Sequence, residues 1–465
     1  MTNKPQEEIT KSAESERIDS PVYFLSIEVE NVLCFKDRQR LDLSDGNGNP
    51  AKWTVILGNN GVGKTTLLRC LGGMEHKESA ILQGNFYPLI FEPFEGLYMW
   101  TQLKSLKDNY SIINAKFLIK AGLRNVPHED ANSDTKNQAQ EIYLKLSLQR
   151  RSAEMQSNNI SEKRLKDLTC YGYGATRRME HTSLNESFSN NNSESLFSDN
   201  ATLINAEEWL LQTDYAVKSA LGATRDRLER QLNQIKEILK RILPEIDDIR
   251  ITPVDEERDR PTVEFSTPYG WVGLFSLGLG YRTMIAWMVD LAVRLFKRYP
   301  QSEDPLAEPA IVLIDEIDLH LHPKWQRTIM EFLTDRFPNT QFIVTAHSPL
   351  VVQAAQDANI VLLRREGDHV VIDNDPEIID NWRVDQVLTS IFEIPSVRPV
   401  KIEPWLNRRR EILSQPHLSE SDRIELKELE GKIGSLPTAE TPEDIKAMDI
   451  IRRAAKLLEK SGTVE

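Results

Sequence analysis

One run constrains this chain more than any other. Gly58-Asn59-Asn60-Gly61-Val62-Gly63-Lys64-Thr65 fits the pattern G-x-x-x-x-G-K-[ST]. Its flanks fix what it can be. Residues 53–57 (Trp-Thr-Val-Ile-Leu) read as a short buried strand, and residues 65–71 (Thr-Thr-Leu-Leu-Arg-Cys-Leu) as the start of a helix. Glycines between a strand and a helix let backbone N–H groups turn inward onto phosphate oxygens, and the helix end adds partial positive charge. In such a cradle Lys64 would neutralise the β- and γ-oxygens and the Thr65 hydroxyl would ligate Mg²⁺. The pattern predicts an α/β fold with a nucleotide triphosphate held by Gly58, Asn59, Asn60, Gly61, Gly63, Lys64, Thr65 and Thr66.

Two later strands end in reactive side chains. Residues 310–314 (Ala-Ile-Val-Leu-Ile) form a continuous apolar run, the pattern of a strand covered on both faces, and end in Asp315-Glu316. Ligands of open α/β sheets bind outside such carboxyl ends. Asp315 is expected to hold Mg²⁺ through water, and Glu316 to polarise the attacking water as general base. Residues 341–346 (Gln-Phe-Ile-Val-Thr-Ala) likewise lead to His347, placed to contact the γ-phosphate.

Phosphate loop, strand-Asp-Glu and strand-Thr-Ala-His-Ser-Pro, in that order, resemble the ABC-type ATPases of the SMC/RecF group. Residues 25–35 and 40–43 are similar to that group's opening hairpin, and Asp318-Leu-His-Leu-His-Pro323 to the D-loop segment after its catalytic glutamate. The likeness covers roughly residues 22–395. Four runs look closest to the PtuA-like ATPases of bacterial antiphage systems, Septu and some retrons. They are Tyr173-Gly-Ala-Thr-Arg177, Glu207-Glu-Trp-Leu-Leu211, Gly280-Tyr-Arg-Thr-Met-Ile-Ala-Trp287 and Trp382-Arg-Val-Asp-Gln-Val-Leu388.

The resemblance implies ATP and Mg²⁺ as cofactors and a homo-oligomer, at least a head-to-head dimer sandwiching two nucleotides. Each site would join the phosphate loop of one subunit to a signature serine and glycines of the other. The signature here, Phe275-Ser-Leu-Gly-Leu-Gly-Tyr-Arg282, departs from L-S-G-G-Q and allows two registers. Ser276 with Gly278 is the first choice, and Gly280 the second. For the Q-loop glutamine, Gln83 and Gln102 both remain open. The resemblance also implies a separately encoded HNH-type nuclease as partner, joined in a retron arrangement by a reverse transcriptase with its DNA. The runner-up function is a DNA-repair ATPase of RecF/SMC type that binds DNA directly. A transporter subunit fits the opening hairpin and the insertion least.

Composition bounds the rest. A net charge of −14 opposes long-range attraction to nucleic acid, so such contact is expected through a partner or a local basic patch. Candidates are Arg150-Arg151, the 225–241 helix and Arg408-Arg409-Arg410. Cys34, Cys70 and Cys170 are scattered, which argues against a disulfide framework or zinc site and suits a reducing cytoplasm. The longest apolar candidate, residues 284–296, carries Asp290 and Arg294 and falls short of the roughly 18 residues of a membrane span. The first twenty residues are polar, without the apolar stretch of a secretory leader. The expected location is cytoplasmic, with no membrane contact.

The fold class expected is α/β, a P-loop ABC-type head with a mixed sheet. Residues 1–20 read as a disordered tail and 21–125 as a first ATPase lobe. Residues 126–247 read as a helical and low-complexity insertion, with an apolar stripe Leu228, Leu232, Ile235, Leu239 and Ile242 on one long helix. Residues 248–395 form the second lobe, with signature, Glu316 and His347, and 396–465 a helical end. Two metal readings are declined. His320 and His322 lack a third ligand at helical spacing, and Asp373-Asn-Asp375 lacks the preceding glutamate strand of a Toprim nuclease.

Overall fold

A computed structural model describes residues 21–74, 111–119, 140–149, 152–157, 168–180, 191–254, 259–376, 383–392, 394, 400–413, 415 and 419–433. The 1–20 tail, Gln83, Gln102 and Arg150-Arg151 lie outside them. The chain divides into two compact units, residues 1–387 and 388–465.

The first unit is built on a six-stranded sheet. Its strand order is His369–Asp373, Asn359–Glu366, Trp53–Gly58, Thr340–Thr345, Ala310–Ile314 and Cys170–Tyr173. All neighbours are parallel except the first two, which form the antiparallel closing hairpin. The three central strands are buried at every residue, which is why they read as unbroken apolar runs. Register decides what their ends bring together. Ile314 lies opposite Val344 and Tyr173, and Val344 opposite Val55, so the carboxyl ends of four strands come level around the phosphate loop.

A second, antiparallel sheet runs Gln39–Asp42, Val22–Glu30, Ser111–Ile119, Gln140–Gln149, Ser152–Ser157. Its first two strands are the expected opening hairpin. One apolar cluster joins Phe24 and Ile27 of this sheet, through Leu67, Leu68 and Leu71 of helix Lys64–Gly72, to Ile56, Ile311 and Ile343 of the other. Helix 64–72 therefore sits wedged in the core, and its N-terminus cannot drift from the strand ends.

The expected boundary at 125/126 falls inside this second sheet, because strands Gln140–Gln149 and Ser152–Ser157 continue it rather than opening an insertion. Their period-2 alternation, Ile142, Leu144, Leu146, Leu148, is a strand pattern. The helical part of the insertion is two helices, Ala206–Ser219 and Gly222–Ile242. Asn205 caps the first, its side chain accepting the Glu208 N–H, with Glu207 and Glu208 in the favourable first turn. The second buries Leu232, Ile235, Ile238, Leu239 and Ile242, close to the predicted stripe.

Helix Leu279–Arg298, which follows the signature, is buried on all sides from Thr283 to Phe296. The two charges within that stretch are paired. Asp290 Oδ2 accepts from Tyr173 Oη at 3.0 Å and from Arg294 Nε at 2.7 Å, and Oδ1 accepts the Ile204 N–H at 3.3 Å. Arg294 Nη1 also donates to Asn192 Oδ1 at 3.0 Å. Asp290 and Arg294 are only 1% and 8% exposed, so removing one partner strands a charge away from water. Asp290→Ala is expected to cost about 3–5 kcal/mol in urea unfolding. A loss of about 1 kcal/mol or less, the scale of a solvated pair, would contradict this network.

In the second unit, helices Glu403–Leu413 and Glu420–Ile433 pack through Ile412, Leu426 and Leu429, flanked by Trp405 and Ile433. Arg408 of the candidate basic patch is engaged here. Its Nε and Nη2 fork onto Glu425 at 2.8 and 2.9 Å, and Nη1 reaches Glu411 at 3.3 Å.

Candidate active site

The phosphate loop has the geometry its glycines require. Gly58 takes φ +142°, and a Cβ there would stand 2.7 Å from the Leu363 carbonyl oxygen. Gly63 takes φ +90°, and its Cβ would stand 2.5 Å from Cys34 Sγ. Only glycine accepts both the left-handed backbone and the close approach.

Lys64 opens the helix with its side chain folded back into the loop. Its Nζ donates to the carbonyls of Gly58 and Asn59 at 2.8 and 2.9 Å. Burial draws its pKa below the ordinary lysine value, while Asp315, Glu316 and Asp318 pull the other way. Two neutral carbonyls are acceptors that phosphate oxygens can replace. Lys64→Ala is expected to weaken ATP binding about 10–100-fold, the worth of one hydrogen bond to a charged group. Titration with a fluorescent ATP analogue measures it, and wild-type affinity in the variant would contradict the site.

The strand ends supply the rest. Thr65 Oγ1 donates to Asp315 Oδ2 at 2.7 Å. Thr345 Oγ1 donates to Asp315 Oδ1 at 2.7 Å and accepts the Glu316 N–H at 2.7 Å. A further bond, Ile317 N–H to the Thr345 carbonyl at 3.0 Å, holds the turn after the carboxylates. Asp318 Oδ2 accepts the His347 N–H at 3.1 Å. Burial, then the Lys64 charge, lower the His347 pKa below its usual value, which favours neutral imidazole near pH 7.

These groups surround a cavity of about 270 Å³. Asn60, Gly61, Gly63, Lys64, Thr65 and Thr66 line it from the loop, and Asp315, Glu316 and His347 from the strand ends. Gly58 and Asn59 contribute their carbonyls to Lys64 instead of lining it. The Thr65 hydroxyl and the Asp315 carboxylate are hard oxygen donors 2.7 Å apart facing that cavity, a donor pair suited to Mg²⁺ with water completing the shell.

The signature residues lie elsewhere. Ser276 closes a 3-10 turn, Leu274–Ser276, and Gly278 is the N-cap of helix 279–298. Both are exposed, beside Phe275 and Leu279 at 41% and 53% exposure, and neither lines this chain's own cavity. Gly280 is packed differently: a Cβ would stand 2.3 Å from the His320 carbonyl oxygen. Close approach of the signature helix to the D-loop segment accounts for that glycine. His320 takes φ +64°, and His322 Nδ1 accepts the Lys324 N–H at 3.3 Å as the N-cap before Pro323. Among the described residues no cluster of three or more His, Cys, Asp or Glu could hold a metal.

Four participants were not foreseen: Leu33 and Cys34, which line the cavity, Thr345, which ties the two carboxylates together, and Arg177, whose Nη2 donates to the Glu316 carbonyl at 2.6 Å. Thr345 had one available signal, as a polar residue ending a buried strand. Arg177 stood in a run noted only for its similarity.

The loop, the level strand ends and the paired carboxylates define an α/β P-loop nucleotide-triphosphatase fold. Family models agree: "ABC transporter" matches residues 45–202, and "AAA domain, putative AbiEii toxin, Type IV TA system" matches residues 136–353. Within that class the chain is similar to a retron ATPase and a Septu protein. It is 40% identical over 139 residues to "Retron Vc95 probable ATPase" of Vibrio cholerae serotype O1 biovar El Tor, covering 30% of this chain and 26% of that protein. It is 25% identical over 415 residues to "Septu protein PtuA" of Bacillus mycoides (strain KBAB4), covering 88% of this chain and 50% of that one. The matched part thus spans between a quarter and a half of these relatives' own length. A solved SMC head bound to the C-winged-helix domain of ScpA overlays with a TM-score of 0.46 and 15% identity, over 76% of this chain and 97% of that one. Among the described residues, no helix is long and apolar enough to cross a membrane.

Proposed function

We propose that this chain is the ATP-binding and ATP-hydrolysing switch subunit of a bacterial antiphage complex, controlling a separately encoded nuclease. One observation carries the reading. A half-site (Lys64, Thr65, Asp315, Glu316 and His347 around one cavity) coexists with signature residues Ser276 and Gly278 that are exposed and do not line that cavity. A second copy brought head to head would supply Ser276 and Gly278 to the first copy's nucleotide, and the reverse.

In this scheme Lys64 and the loop N–H groups bind the phosphates, and Thr65 and Asp315 would hold Mg²⁺, which would supply charge neutralisation at the phosphates. Glu316 takes the proton of the attacking water, and neutral His347 meets the γ-phosphate. Differential affinity of ATP for the paired heads drives closure, and hydrolysis releases it. By resemblance to Septu and retron ATPases, the effector is an HNH-type nuclease, with a reverse transcriptase and its DNA in a retron arrangement. Nucleic acid then reaches the complex through that partner, consistent with the net charge of −14.

The test is to express the chain with its neighbouring reading frames in a phage-sensitive host and measure plaquing efficiency. Protection is expected, and it is lost with Lys64→Ala or Glu316→Gln at unchanged protein level. Protection that survives Lys64→Ala, or that the chain confers alone, would contradict the scheme.

A further inference from the structure

The outermost strand of the parallel sheet, Cys170–Tyr173, delivers a segment beneath the catalytic carboxylates. Tyr173 lies opposite Ile314, and its carbonyl accepts the Asp315 N–H at 2.8 Å. The chain then turns at Gly174. A Cβ there would stand 2.1 Å from the Ser195 carbonyl oxygen, so the close approach leaves no room for a side chain. The segment runs on to Arg177, which is 2% exposed.

Three observations about Arg177 belong together. Its Nη2 donates to the Glu316 carbonyl at 2.6 Å. Both partners hold left-handed backbone, φ +36° at Arg177 and φ +50° at Glu316. Non-glycine residues adopt that region rarely, and it persists where the surroundings over-determine it. Finally, Arg177 Nε is buried with no hydrogen-bond partner, as is Asp318 Oδ1 on the residue that holds the His347 N–H. A guanidinium placed for stability alone would have its donors met, since an unmet buried donor is costly. Burial lowers the Arg177 pKa to about 10, against the pull of Asp315, Asp318 and Glu316, so it remains a cation near pH 7.

We propose that Arg177 is a positioning residue for hydrolysis: its guanidinium, clamped on the Glu316 carbonyl, fixes the left-handed turn that aims the Glu316 carboxylate into the nucleotide cavity. It touches neither phosphate nor water and acts through Glu316. The inference rests on Glu316 being the general base.

A double-mutant cycle in the full chain tests it, with steady-state ATP turnover and nucleotide titration as readouts. Arg177→Met keeps length and loses charge and donors. Arg177→Lys keeps charge and loses the planar fork. Misaiming a catalytic group typically costs about 10²-fold. Arg177→Met is therefore expected to lower kcat about 10²-fold with KM and ATP affinity little changed, and Arg177→Lys to restore part of the loss. In a Glu316→Gln background neither should lower kcat further, because the group they aim is already gone. Should Arg177→Met melt below the assay temperature, the cycle is run with Arg177→Lys alone. Wild-type kcat in both variants would overturn the proposal. So would a rise in KM at constant kcat, or losses that multiply with Glu316→Gln. Unchanged turnover in Glu316→Gln itself would instead refute the general-base reading.

Discussion

Glu316→Gln is expected to lower ATP turnover by about 10²–10⁴-fold while ATP still binds, because the variant keeps the side chain's shape and removes the base. The carboxylate lies at the end of a strand buried at every residue, and its N–H is fixed by Thr345 Oγ1 at 2.7 Å. The amide therefore inherits the same position. The nucleotide contacts proposed for Lys64, Thr65 and Asp315 do not depend on the Glu316 charge, so affinity should hold. A paired, ATP-loaded state should then accumulate. Normal turnover in this variant would mean that another group activates the water.

Ser276→Arg is expected to abolish ATP-dependent head pairing and turnover while leaving ATP binding to the single chain intact. Ser276 is exposed and lies outside the chain's own cavity, so the substitution disturbs neither the core nor the phosphate loop. Its bulk and charge would sit where a second copy must close on a phosphate. Sedimentation velocity with and without ATP and Mg²⁺ measures pairing. Full activity in Ser276→Arg would shift the signature to the Gly280 register or refute shared sites. The packing of Gly280 against His320 makes a bare substitution there a poorer probe, because any side chain would displace the D-loop segment first.

Much of the site was legible because its signals are local. The phosphate loop is contiguous, and Asp315, Glu316 and His347 end strands whose burial on both faces writes them as apolar runs. The fold class followed from the phosphate loop set between a strand and a helix. The missed elements depend on register. Thr345 joins Asp315 and Glu316 only because Ile314 lies opposite Val344, and a threonine in a strand ordinarily signals strand propensity and nothing more. Arg177 reaches Glu316, 139 residues away in sequence, from the segment after strand Cys170–Tyr173, with no local pattern to announce it. Strands 140–149 and 152–157 were hidden differently: their alternating apolar and polar residues are easily absorbed into the polar stretch around them. The apolar stripe Leu228–Ile242 lies wholly beyond the break at Ala220-Leu221, so it carried no sign of that break. Asp290 and Arg294 argued against a membrane span in the sequence, and their pairing explains how a helix buried on all sides carries them.

The central claim, a nucleotide site shared between two copies, is tested most directly by mixing two inactive variants. Lys64→Ala retains a working signature but a crippled phosphate loop, and Ser276→Arg the reverse. Each alone should show no ATP turnover above background. Mixed, they should regain turnover in proportion to the mixed pairs, since each such pair contains one site with Lys64 from one subunit and Ser276 from the other. A mixture as inactive as its components, at concentrations where wild-type heads pair, would contradict the shared site.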